Sequence, residues 1–203
     1  MALAVATAIA MQFSLPNRHV LVPTFLFPAV ESLLLVVLLG GRGASRIENW
    51  SVARRRIILG LVIVMSVDNG LAVVELVRDI LNGSNGDSGT VLLATGGAVW
   101  WTNVIAFSLW FWMHDRGGPT ARASGHASSP SFLFATMQSS ELAPAGWEPR
   151  YIDYLYLAFT NATAFSPTDT LPLTRWAKTL MLAQSAISLV IALMVIARAV
   201  SIL

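Results

Sequence analysis

The sequence predicts an all-α polytopic membrane protein with four transmembrane helices, an amino-terminal half-helix and a re-entrant helix–loop near its carboxyl end. Three observations predict it. Of the 203 residues 55% are hydrophobic and only 12% charged, and the mean hydropathy of +0.65 lies well above that of a soluble domain of this size. The few charges gather in short connections and leave long uncharged runs of about 20 residues, the length that crosses a hydrocarbon core of roughly 30 Å as helix. One apolar-aromatic segment, 151–169, is too short to cross and is broken by Ser166-Pro167.

Met1 to Leu15 is apolar but lacks the positive n-region of a secretory signal, so it reads as a membrane-associated half-helix. It stops at Leu15-Pro16-Asn17-Arg18, where proline disfavours helix in the residue before it and Arg18 and His19 seek the interface. The first span is Val22 to Gly40, with Glu31 inside. The second is Ile57 to Val77, with Asp68, Asn69 and Glu75. The third, Val91 to Met113, is uncharged and contains Asn103; the fourth, Thr179 to Ala197, is uncharged. The connection 78–90 is short and rich in Gly, Ser, Asn and Asp, as a turn between antiparallel helices is. The connection 114–150 carries Gly117-Gly118-Pro119, Pro130, Pro144 and Gly146 and reads as an irregular surface loop with no separate domain. No internal repeat is present, which argues against a transporter built by duplication.

Composition excludes several functions. With no cysteine there is no disulfide, thiolate site or cysteine nucleophile. His19, His114 and His126 lie far apart with no ligand spacing, so no metal site and no cofactor is expected. A net charge of +2 gives no electrostatic footprint for nucleic acid. No serine sits in a nucleophile elbow, and an enzyme is not expected. The seven tryptophans fall near span ends or within the third span, where interface anchoring and packing account for them. The partner expected first is the lipid bilayer.

Two polar groupings stand out. Asp68 and Glu75 are seven residues apart and share a helix face, while Glu31 lies near mid-depth of the neighbouring span. They read either as a proton or cation relay, hence a proton-coupled carrier, or as structural glue in which Glu31, Asp68, Asn69 and Asn103 hydrogen-bond between helices. Thr160, Asn161, Thr163, Ser166 and Thr168 read either as a constriction lined by hydroxyls and carbonyls or as a capped half-helix closing a subunit interface. Irregular backbone at membrane depth must be buried in protein or face water, which favours the first.

At these residues the chain resembles the pore module of the tetrameric potassium-channel superfamily: outer helix, short pore helix, Thr-rich filter, inner helix. The resemblance covers 91–203 and rests on Tyr151, Tyr154, Tyr156 and Phe159, on Thr160 and Thr163, and on Asp169 followed by Pro172, Thr174 and Arg175. The carboxyl-terminal pattern is also similar to that of uncharacterised bacterial membrane proteins. The resemblance implies a pore lined by Thr160 to Asp169, with Asp169 as the filter-end acid, a homo-oligomer, fourfold, and a monovalent cation as the permeant species. Ala164, Phe165, Ser166, Pro167 and Thr168 stand where the family's filter stands, without its two glycines, so selectivity for potassium is not implied. A non-conducting scaffold or accessory subunit is the rival. If 41–56, with five arginines, faces the cytoplasm of a bacterial-type inner membrane, 114–150 does too, and ten of the thirteen basic residues are inside. The channel resemblance implies the reverse orientation.

Overall fold

The computed structural model describes residues 1–14, 23–40, 50–82, 89–139, 141, 144, 146–164 and 169–202. The described chain is mostly helical. In order come α1 (Ala2–Ser14), α2 (Leu26–Gly40), α3 (Trp50–Asn82), α4 (Gly89–His114), a 3-10 turn at Asp115–Gly117, α5 (Pro119–Ala123), β1 (Phe132–Phe134), α6 (Ala135–Gln138), α7 (Tyr151–Ala164), β2 (Thr170–Pro172) and α8 (Arg175–Ile202). Their contacts group them into two compact units. One is Phe107–Ser188 with Met1; the other is Ala2–Ala106 with Leu189–Leu203.

Among the described residues three stretches are long and apolar enough to cross a membrane: Val52–Asn82, Gly89–Gly117 and Arg175–Arg198. The expected first span, Val22 to Gly40, is not a fourth. Its helix α2 has 15 residues, about 22 Å of axis. It starts only at Leu26, whose N–H reaches the Pro23 carbonyl at 2.9 Å. Pro28 sits in the first turn, where its missing N–H costs no helix bond. The expected half-helix at the amino terminus is α1, 13 residues long.

In the larger unit α2 packs against both α1 and α3. On α3, Ile58, Leu61, Met65, Asp68, Ala72 and Leu76 are buried. The opposite stripe of Arg56, Ile63, Val67, Gly70, Val74 and Arg78 is exposed. Arg56 and Arg78 stand roughly 33 Å apart along the axis with only small and apolar residues between them on that stripe. Helices α4 and α8 meet closely at Gly96, where an added Cβ would lie 2.5 Å from Val195 Cγ2. A glycine on α4 thus supplies the close approach; Val195 is β-branched and stiff and has little room to yield.

In the smaller unit the described part of 114–150 carries short elements between turns, and the unit is not wholly helical. Phe132–Phe134 and Thr170–Pro172 pair antiparallel, Phe132 opposite Pro172 and Phe134 opposite Thr170. The strand alternates, with Phe132 and Phe134 turned inward. Phe132 packs edge-on against Phe111 of α4 at 5.1 Å and against Trp176 of α8 at 5.7 Å between ring centroids. It also meets Tyr154 of α7 at 6.5 Å. The described part of the long connection thus contributes aromatic residues to the core of this unit.

The turn out of α4 depends on glycine. Gly118 has φ 92° and ψ 177°, a region that only glycine adopts without strain, and a Cβ there would stand 2.7 Å from the Met113 carbonyl oxygen. Gly118→Ala is therefore expected to cost about 1–3 kcal/mol. Thermal unfolding of the purified protein should show a midpoint lower by roughly 2–4 °C per kcal/mol.

Candidate functional site

Helices α7 and α8 run side by side in the same direction. In their first turns, Tyr154 and Trp176 both pack on Phe132. Two turns deeper, Asn161 Nδ2 donates to the Met181 carbonyl at 3.0 Å and to Gln184 Oε1 at 2.9 Å. Gln184 Nε2 donates to the Ala158 carbonyl at 2.8 Å, and Ser185 Oγ to the Asn161 carbonyl at 3.2 Å. Consecutive helices that run parallel must be joined by a return as long as the first. Helix α7 has 14 residues, about 21 Å, and ten residues lie between Ala164 and Arg175, enough for about 33 Å if extended. Asp169 is already back at the level of the first turns of α7, for it lines one cleft of about 290 Å3 together with Asp153, Tyr156, Phe134 and Trp147.

The entrance end of α7 is held by a buried polar knot. Asp115, fully buried at the end of α4, accepts the Tyr154 hydroxyl at 2.6 Å on Oδ2 and the Ser131 N–H at 2.7 Å on Oδ1. Arg122 crosses beneath, donating to the Asp115 carbonyl at 2.6 Å and the Trp112 carbonyl at 3.0 Å. Its guanidinium thus satisfies the carbonyls that the end of α4 leaves open, and a cation is favoured at that end. It also lies 5.4 Å from the centre of the Tyr154 ring. Burial first, and then the Asp115 carboxylate, hold the Tyr154 phenol far above its ordinary value. One turn earlier the Tyr151 and Ser108 hydroxyls share a 2.8 Å bond. Burial pushes the Tyr151 phenol up to about 12 against the opposing effect of that bond. Both phenols are therefore neutral donors or acceptors at physiological pH.

Of the residues expected to line a passage, Phe165, Ser166, Pro167 and Thr168 lie outside the described residues, and Ala164 closes α7. Thr160 and Thr163 turn their hydroxyls onto their own helix: Thr160 Oγ1 donates to the Tyr156 and Leu157 carbonyls at 3.0 and 3.1 Å, and Thr163 Oγ1 to the Phe159 carbonyl at 2.7 Å. Their hydroxyl protons are committed to the helix, and only oxygen lone pairs remain for a visitor. Asp169 is exposed and accepts the Thr170 hydroxyl at 3.3 Å.

The second polar grouping is in the larger unit. Glu31 and Asp68 are both fully buried, and a residue not anticipated from the sequence joins them. Gln12 Nε2 donates to Asp68 Oδ2 at 3.0 Å and to Glu31 Oε1 at 3.5 Å. Asn69 Nδ2 donates to Asn103 Oδ1 at 3.2 Å. Glu75 is half-buried two turns further along α3. The sequence signal for Gln12 is its isolation as the one amide in an apolar half-helix. The same signal marks Gln184 in α8. The Asp115 knot has no such signal, because an acid at the end of a span looks like any interfacial charge.

Compared with protein-family models, with curated proteins and with solved structures, the chain finds no match.

Proposed function

We propose that this chain is a channel-like polytopic protein of a bacterial-type inner membrane, several copies of which surround a passage for a small monovalent cation or water. The observation that carries the reading is the parallel pairing of α7 and α8, with Asp169 returned beside Asp153. A short helix that enters, breaks and comes back to the side it left is a re-entrant hairpin. In a bilayer it is sustained only where irregular backbone is enclosed by protein or faces water. The outward stripe of α3 supports the membrane placement, for Arg56 and Arg78 bracket a span close to the roughly 30 Å hydrocarbon thickness. One hairpin supplies one wall, so closure needs symmetry, fourfold by the resemblance to potassium-channel pore modules.

Segment 160–169 then forms the lining, with carbonyls and threonine oxygens replacing hydration and Asp169 concentrating cations at the mouth. The basic residues of 41–56 and 114–150, with Arg175 and Lys178, favour the cytoplasm for those segments by the positive-inside rule, whereas the channel resemblance implies the reverse orientation.

Flux of potassium, sodium, protons and chloride into liposomes containing the purified oligomer tests the reading. Asp169→Asn is expected to lower cation flux by a factor of about 3 to 10 and to leave chloride unaffected. No flux of any ion from a verified oligomer would make the chain a scaffold or accessory subunit.

A further inference from the structure

We propose that the cleft over the first turns of α7 holds the head group of a zwitterionic lipid of the aminoethyl phosphate class, a phosphatidylethanolamine. The site lies wholly within the smaller unit. Its first part, of about 290 Å3, sets the carboxylates of Asp153 and Asp169 among the rings of Trp147, Tyr156 and Phe134. The second, of about 550 Å3, shares Trp147, Ile152 and Asp153 with the first and adds Arg150 and Glu148. The two parts adjoin along that shared wall.

The chemistry of the first part selects a primary ammonium. Carboxylates and aromatic faces around one space both attract a cation, and the rings favour an organic one. Each carboxylate is held in place by its own stretch of chain through one oxygen. Asp153 Oδ2 accepts the Arg150 N–H at 2.6 Å, closing the first turn of α7, and Asp169 Oδ1 accepts the Thr170 hydroxyl at 3.3 Å. The second oxygen of each can accept an N–H from a ligand, and a primary ammonium brings three. A trimethylated ammonium brings none.

The second part selects what accompanies the ammonium. Arg150 is exposed, and a guanidinium pairs in bidentate fashion with phosphate oxygens. Glu148 lines the same part, so the described lining of the whole cleft carries three acids, Glu148, Asp153 and Asp169, against one base. That excess repels a purely anionic head group. A phosphate tied to its own ammonium by two carbons enters with both charges matched, each in one of the adjoining parts.

Depth and surface point to a lipid rather than a soluble phosphodiester. Tyr154 in the first turn of α7 and Trp176 in the first turn of α8 both pack on Phe132. The cleft therefore lies at the level where the long apolar stretch Arg175–Arg198 begins, and in a spanning helix that level is the interface. From there Ile152, Tyr156 and Phe159, all exposed, follow one another at spacings of four and three residues along one face of α7. An acyl chain attached to the head group packs along that apolar face. The proposal rests on the membrane placement of the chain and not on the passage.

The test is lipid binding by the full chain, delipidated in neutral detergent. Native mass spectrometry and thermal unfolding follow the addition of phosphatidylethanolamine, phosphatidylcholine or phosphatidylglycerol. Phosphatidylethanolamine is expected to bind about tenfold more tightly than either other lipid, whose head groups leave charged side chains unmatched, and to raise the unfolding midpoint. Asp153→Asn should erase the preference over phosphatidylcholine. Arg150→Gln keeps the backbone N–H that caps α7; it should weaken phosphatidylethanolamine binding by a similar factor and leave the lipid-free midpoint unchanged. Equal binding of the three lipids would overturn the proposal, as would a preference for phosphatidylglycerol or a preference that survives in both variants. Glycerophosphoethanolamine, the head group without acyl chains, is expected to compete weakly; competition as strong as the lipid's would make the ligand a soluble phosphodiester and reject the lipid site. Ion flux in Asp169→Asn decides the passage and none of these outcomes.

Discussion

Replacing Asp115 by alanine is expected to destabilise the protein by about 3–5 kcal/mol, the largest effect of any single substitution outside the hydrophobic core. The carboxylate accepts two bonds from donors that have no alternative, the Tyr154 hydroxyl and the Ser131 N–H. Bonds to a charged group contribute about 1.5–3 kcal/mol each, and a buried donor left without an acceptor bears its whole desolvation cost. Arg122, almost fully buried beside them, donates to the Asp115 main-chain carbonyl and would keep that bond. Thermal unfolding followed by near-UV circular dichroism reads the result, since Tyr154, Phe132, Phe134 and Trp176 form one aromatic cluster around this knot. Asp115→Asn keeps one acceptor and should recover part of the loss. A midpoint within 1–2 °C of the wild type in Asp115→Ala would show that the cap over α7 is held by its aromatic packing alone.

The second large effect is expected at Asn161. Its amide gives one proton to the Met181 carbonyl and one to Gln184, while its own carbonyl takes the Ser185 hydroxyl. Asn161→Leu removes both donated bonds and leaves Gln184 Oε1 buried without a donor, a cost of about 2–4 kcal/mol from two lost bonds and one stranded acceptor. Under the proposed function it also frees the half-helix from the long one. Cation flux through proteoliposomes should fall further than in Asp169→Asn, because the lining itself loses its support. Asn161→Asp separates the two roles, for it retains a side chain of the same shape while placing an acceptor against two acceptors. Full flux from Asn161→Leu would place the conducting path elsewhere.

The elements that the sequence makes legible are those dictated by hydropathy and chain chemistry. The runs 57–77, 91–113 and 179–197 each lie inside a long apolar helix, since an uninterrupted apolar stretch has no cheaper way to satisfy its backbone. Helix α7 begins at Tyr151 as expected and ends at Ala164, two residues before Ser166-Pro167. Glu31, Asp68, Asn69 and Asn103 are buried, as expected of polar residues within apolar spans. The expectation failed where length in residues stood in for helix. Apolar sequence continues from Val22, but the helix starts only at Leu26, after Pro23, and among the described residues α2 has 15 residues, short of a span. Over 114–150, where glycine, proline and serine suggest an irregular loop, the described residues also hold a short strand that no local pattern marks. Phe132 and Phe134, two and four positions after Pro130 and close to several serines, become core only when β1 pairs with β2, Phe132 opposite Pro172 and Phe134 opposite Thr170.

By itself, then, the sequence determined what each segment must do with its own backbone and its own apolar surface: which stretches are long helices and which is a half-helix. Only the tertiary structure decided which polar atoms meet. Gln12 reaches Asp68 across 56 positions and Glu31 across 19, and Tyr154 reaches Asp115 across 39. Periodicity sets the face on which a side chain lies, because that is local geometry repeated along one helix. The partner across the gap depends on how helices pack and in which direction they run. That is fixed by the whole set of competing contacts and is carried by no single stretch of chain.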